Sequence, residues 1–339
     1  MIRSRAGVLL FIAWTACERS PDVVRRPTAA PSPARSPDAT GTAADRIAPR
    51  AYAKPSLFVV PHASIARVPG TRDELEKFAS RSGGDPDLMA SALLSLALLD
   101  VEADEAAWDT TDPAWTRDPE TAADFARARA IATLRRVVAD FPQYARRDDA
   151  LYLLGYCLQR EGDSSGARTA FEGIFAERPA SRLIAEAWFR IGETHFETGA
   201  YSDAVHAFQK SLARRDSRFA AAALYKIAWS HYLGDRFAEA AAAFERLLAA
   251  PPDAEFAAAL RPEVIQYLAL SLVEQDWDGD GAPAPSPSGD PATTAPVARV
   301  AAFVRRGGIW REVAQAAGQA LAAEGREGEA RAVRDLLAR

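Results

Sequence analysis

Cysteine, lysine and asparagine are the scarce residues of this chain. It holds two cysteines, Cys17 and Cys157, four lysines (Lys54, Lys77, Lys210, Lys226) and no asparagine in 339 residues. Two cysteines build no disulfide framework. If Cys17 is modified, Cys157 has no partner, and its place beside Tyr156 and Leu158 reads as a buried structural thiol. The shortage of lysine beside abundant arginine reads as genome base composition. Excess positive charge is also missing: the net charge is −5, with no basic stripe, which argues against a nucleic-acid partner. No metal spacing, phosphate loop or nucleotide fingerprint occurs. No paired acid and base marks a catalytic centre, so the chain is not expected to be an enzyme. Gly162-Asp163-Ser164-Ser165-Gly166 spells G-x-S-x-G. That motif works on a strand-to-helix elbow, and here it falls between two helical patterns, where it reads as a turn.

What the chain does have is 48% hydrophobic residues, rich in alanine, and a repeat. The first copy carries Leu154-Gly155, Ala167, Phe171 and Pro179. The second carries Trp188, Ile191-Gly192, Ala204 and Phe208, and the third Ile227-Ala228, Ala240, Phe244 and Pro252. Successive alanines lie 37 and 36 residues apart, and so do the phenylalanines. A period in this range marks stacked supersecondary units. Each copy reads as two amphipathic helices joined by a turn: Gly162-Asp163-Ser164, Gly199-Ala200-Tyr201 and Gly234-Asp235-Arg236. Glycine supplies the left-handed backbone that ends the first helix. Gly155, Gly192 and Ala228 stand mid-helix, where glycine costs about 1 kcal/mol against alanine. That cost predicts close approach of the paired helix, with Phe171, Phe208 and Phe244 filling the space between hairpins.

These markers resemble the tetratricopeptide repeat, whose helices carry W-x2-L-G-x2-Y, then A-x3-F, then P. Trp188 stands at the Trp position, Leu151 and Leu224 replace it in the other copies, and Leu158, His195 and His231 take the Tyr position. The period slightly above 34 is similar to that of bacterial envelope lipoproteins of the BamD and YbgF (CpoB) types. The resemblance covers about residues 148–252. It implies an all-α solenoid of stacked antiparallel helix pairs that binds proteins and does no chemistry. The family's geometry implies an inner groove lined by Tyr152, Tyr156, Gln159, Phe189, Glu193, Phe196, Tyr225, Trp229 and Tyr232. Seven of these nine are aromatic, which suits peptide capture.

The flanks read as degenerate repeats. Thr71-Arg72-Asp73-Glu74 is a capping box, opening a short helix expected to end at Gly83-Gly84. Asp85-Pro86 and Asp118-Pro119 place caps before helices expected near 86–104 and 119–140. A helix is expected at 262–275 from Pro262, a delayed partner near 297–306, and a last pair near 309–324 and 326–338. The intervening insert, 276–296, opens with Asp276-Trp277-Asp278-Gly279-Asp280-Gly281. This matches the start of a calcium loop, with Asp276, Asp278 and Asp280 as the alternate carboxylates. The twelfth position is Pro287 instead of the closing Glu.

Residues 1–16 join a basic start to a short apolar run, Ala6 to Trp14, and Thr15-Ala16 before Cys17. The run is too short to span a bilayer as a helix. It reads as a secretory signal, and the cysteine resembles the acylated residue of a bacterial lipobox. Residues 17–56 are rich in proline and alanine and read as an extended tether. A helical region follows at 57–147, then the repeats at 148–252 and a C-terminal part at 253–339. The chain is therefore expected to be an envelope lipoprotein, at the outer membrane and facing the periplasm, that holds other envelope proteins. The alternatives are a soluble secreted binding protein and a calcium-dependent accessory of an envelope enzyme.

Overall fold

Short-range signals set the first elements. In the computed structural model, residues 65–81, 84–108, 122–214, 219–249, 254–274, 276–277, 289–306 and 308–339 are described. The signal, the tether, Cys17, Asp278 and Asp280 lie outside them. Helix α1, Arg72–Ala79, opens with the capping box read from sequence: Thr71 and Glu74 satisfy each other's backbone N–H. It ends at Ser80, before the glycine pair. Helix α2, Pro86–Trp108, starts where the Asp85 carboxylate accepts the Asp87 N–H at 2.9 Å. Helix α3 is Ala122–Asp140.

The repeats follow as α4 (Arg147–Glu161), α5 (Ser164–Glu177), α6 (Ile184–Glu197), α7 (Tyr201–Leu212), α8 (Ala220–Leu233) and α9 (Phe237–Ala249). Then come α10 (Ala254–Val273), a 3-10 turn at Pro291–Thr293, α11 (Ala295–Val304), α12 (Ile309–Ala323) and α13 (Glu327–Ala338). No strand occurs among the described residues, and none of their helices is long and apolar enough to cross a membrane. The fold is an all-α, tetratricopeptide-like solenoid class of helix pairs.

The chain divides after Glu197 into two compact units, the short stretch 213–217 aside. In the first, α1 packs on α2, α2 on α3, α3 on α4, α4 on α5 and α5 on α6. In the second, α7 packs on α8, α8 on α9 and α9 on α10; α10 then meets α11 and α12, and α12 meets α13.

The repeat markers hold these pairs together. Ala167, Ala204, Ala240, Phe171, Phe208 and Phe244 are all fully buried. A Cβ placed on Gly155 would stand 2.6 Å from the Phe171 ring, so the ring occupies the space that a side chain on α4 would need. Trp188 stacks on Phe175 with ring centroids 4.4 Å apart, joining α6 to α5. The same device recurs outside the three copies. Ala130 and Leu134 of α3 are fully buried, and a Cβ on Gly318 of α12 would meet Val333 of α13 at 3.2 Å.

Two local expectations are corrected. Gly162 and Gly199 take the left-handed conformation in their turns (φ 88° and 75°), but in the third turn Asp235 takes it (φ 56°), one residue after Gly234. A short carboxylate side chain tolerates this region better than most. Helix α10 begins at Ala254, so Pro262 lies inside the helix and does not start it. The proline removes one backbone donor from the helical ladder, yet the helix runs on through it to Val273.

Candidate functional site: the inner faces of the hairpins

The aromatic residues assigned to an inner groove are mostly interior. Tyr152, Phe189 and Trp229 have no exposed surface; Tyr156, Glu193, Phe196, Tyr225 and Tyr232 are also buried, and only Gln159 is half-exposed. The structure therefore corrects the picture of an open aromatic lining: these side chains pack between helices. The physical reason is area. Each ring offers a large apolar surface whose burial between helices is strongly favourable. The hydroxyls of Tyr152, Tyr156 and Tyr225 are hydrogen-bonded in place, while the buried Trp229 indole N–H has no hydrogen-bond partner among the described residues.

In the first unit those hydroxyls join a buried ionic seam. The Tyr152 hydroxyl donates to Glu186, and the Tyr156 hydroxyl donates to Glu105 at 2.7 Å. Burial pushes both phenols up, Tyr152 strongly, and so keeps them protonated as donors. The Arg190 guanidinium donates to Glu193 at 2.8 Å and lies 5.3 Å from the centre of the Tyr156 ring. Arg160 lies 5.7 Å from the same ring. Arg160 also donates to Asp104 at 2.8 Å, and Arg127 donates to Asp104 at 3.2 Å and to Glu161 at 2.6 Å. Asp104 is almost fully buried, so two guanidiniums offset the cost of its charge. This seam links α2, α3, α4 and α6. Sequence reasoning missed it. The available signal was the acidic run Asp100, Glu102, Asp104 and Glu105 interrupting a largely apolar helix.

Cys157 lies within the same unit, free and 2% exposed. Burial, reinforced by Asp104, pushes its thiol up to about 12. A protonated, enclosed thiol is a weak nucleophile, in keeping with the structural reading from sequence.

In the second unit the residues form an aromatic cluster. The Trp229 ring lies 4.3 Å from Tyr267, 5.7 Å from Tyr232 and 6.1 Å from Phe244. Tyr225 donates its hydroxyl to Glu263 of α10 at 2.7 Å. Tyr267 completes this cluster and had no marker in the repeat pattern. His195 and His231, at the family's Tyr position, are each half-buried. Burial, with Arg236 nearby, pushes His231 down to about 4, so it is neutral at pH 7 and serves as packing.

Of the three aspartates in the calcium-loop pattern, Asp276 alone is described. It follows α10, next to a pinned Trp277. The Trp277 carbonyl accepts the Ala238 N–H at 3.0 Å, and Arg299 lies 4.2 Å from the centre of its ring. Among the described residues, no group of three His, Cys, Asp or Glu side chains is placed to hold a metal ion.

Packed helix pairs with small residues at the crossings and a ring between hairpins define a helical-repeat protein. Residues 126–182, 158–217 and 189–255 each match the tetratricopeptide repeat family. The first of these extends the match upstream of the three copies read from sequence, into α3. Among solved structures, a MamA RS-1 ArsTM double mutant is similar, with 16% identity over 52% of this chain and 84% of that one, and a TM-score of 0.36. No curated protein matches the chain.

Proposed function

We propose that this protein is a non-catalytic scaffold, anchored to a membrane of the bacterial envelope through an acylated Cys17, whose repeats gather other envelope proteins. The observation that carries the scaffold reading is the run of matches to the tetratricopeptide repeat family over residues 126–255. Repeat solenoids present extended surfaces and serve chiefly to bind. The anchoring part rests on sequence: a basic start, a short apolar run, and Thr15-Ala16 before Cys17. Acylation would place several acyl chains on one residue, and multiple chains hold a protein to a bilayer where a single one does so marginally. The resemblance to envelope lipoproteins supports two roles, assembly of outer-membrane proteins or organisation of a division or motility apparatus.

Palmitate labelling in cells tests the anchor. The natural chain is expected to incorporate label and to sediment with membranes, and Cys17→Ser to lose both. Equal labelling of the two chains, or a natural chain free in the soluble fraction, would replace the anchored scaffold with a secreted one.

A further inference from the structure

Ahead of α1, the non-helical segment Ile65–Gly70 is strapped along α2. The contacts that hold it are of the kind used to grip a foreign peptide. The Ser95 hydroxyl, on α2 and 1% exposed, accepts the Val68 N–H at 2.9 Å while donating to the Ser91 carbonyl. Arg146, in the turn before α4, donates to the Ala66 carbonyl at 2.9 Å. Both are side-chain bonds to main-chain atoms, so they fix the course of the strap without depending on its side chains. Selectivity comes from two further contacts. Ile65 is buried, and Arg67 pairs with Glu102 of α2 at 2.7 Å. Val68, between them and the helix start, is 37% exposed.

The energies of these contacts are unequal. The Arg67–Glu102 pair is about two-fifths exposed on each side, and such pairs contribute little. One buried isoleucine contributes more than such a pair. The strap is held by little more than one apolar side chain and two hydrogen bonds. The groups that grip it belong to helices packed independently of it: α2 on α3, and α3 on α4.

We propose that the strap occupies, in cis, a docking site on α2 for an extended partner segment bearing a branched aliphatic residue and, two residues later, an arginine. The strap has this pattern itself in Ile65-Ala66-Arg67. Glu102 supplies the complementary charge, Ser95 and Arg146 supply the main-chain contacts, and the partner binds by displacing the strap. This inference rests on the scaffold reading and adds a location and a ligand chemistry to it. A chain that is acylated but never exchanges its strap would defeat this inference alone.

The test uses the full chain and a labelled peptide with the sequence of residues 62–70, followed by fluorescence anisotropy. Ile65→Asp with Arg67→Glu loosens the strap, and this chain is expected to bind the peptide at least about tenfold tighter than the natural chain, a difference of about 1.4 kcal/mol. Adding Glu102→Arg should return binding to the natural level, and a peptide with glutamate in place of its arginine should recover it. Arg67→Glu alone, at an exposed position, keeps the test open should the double variant fail to fold, and a smaller gain in the same direction is expected. No gain in a loosened chain with natural helical circular dichroism would overturn the proposal. So would a concentration-dependent dimer formed in place of peptide binding, since the strap would then serve exchange between copies.

Discussion

Only a hydrogen atom at position 155 lets the Phe171 ring lie against α4. Alanine there would gain about 1 kcal/mol of helix propensity, yet its Cβ would fall 2.6 Å from a fully buried ring. Overpacking of this kind costs about 1–3 kcal/mol, so Gly155→Ala is expected to destabilise the chain. Urea unfolding checks this: the midpoint should fall, and Gly155→Ala with Phe171→Leu should recover part of the loss. A midpoint above that of the natural chain would show that the ring moves aside freely. The glycine and phenylalanine were legible in the sequence because each carries a local cost or a fixed spacing. The partners of Tyr152 and Tyr156 were not, because Glu105 and Glu186 stand 51 and 34 residues away from them in sequence and no local pattern pairs them. The same limit hid the fate of the ring residues. Spacing assigned them to a helix face, but whether a face is open depends on what packs over it.

At the scale of an element, the carboxyl end of α10 shows how the insert is tied to the fold. Its last carbonyls have no helical donors. Arg299 donates to the Leu272 carbonyl at 2.8 Å and also to that of Glu274, and Arg326 donates to Val273 at 2.7 Å. Arg299 covers Trp277 as well. Arg299→Met is expected to cost about 1–3 kcal/mol, because acceptors are left unsatisfied. Arg331→Met, at an exposed position of α13, should stay within about 0.5 kcal/mol. Chemical denaturation of both variants measures the difference, and equal effects would deny the cap its role. Helix existence was legible throughout the described residues, since apolar spacing and caps such as Thr71 and Asp85 are local. Boundaries were less so. Pro262 read as a start because proline favours the first turn, while the residues ahead of it extend the helix back to Ala254.

For the molecule as a whole, charge is distributed by residue type. Arginine makes the buried pairs described above, as its planar fork suits carboxylates better than an ammonium does. Lys226 is 6% exposed on α8, while Lys77 and Lys210 are exposed. Acetylation of the native protein by an N-hydroxysuccinimide ester, read by mass spectrometry, is expected to modify Lys77 and Lys210 quickly and Lys226 slowly. In denaturant the three rates should converge, and equal native rates would contradict the burial of Lys226. The wider consequence concerns reach. Within the described part of the molecule, only two side-chain primary amines are open to reagents from outside. Any neighbour joined to this part by amine-bridging chemistry must come within a linker's length of one of those two points, and neighbours resting elsewhere would go unrecorded unless carboxylates or light-activated groups form the bridge.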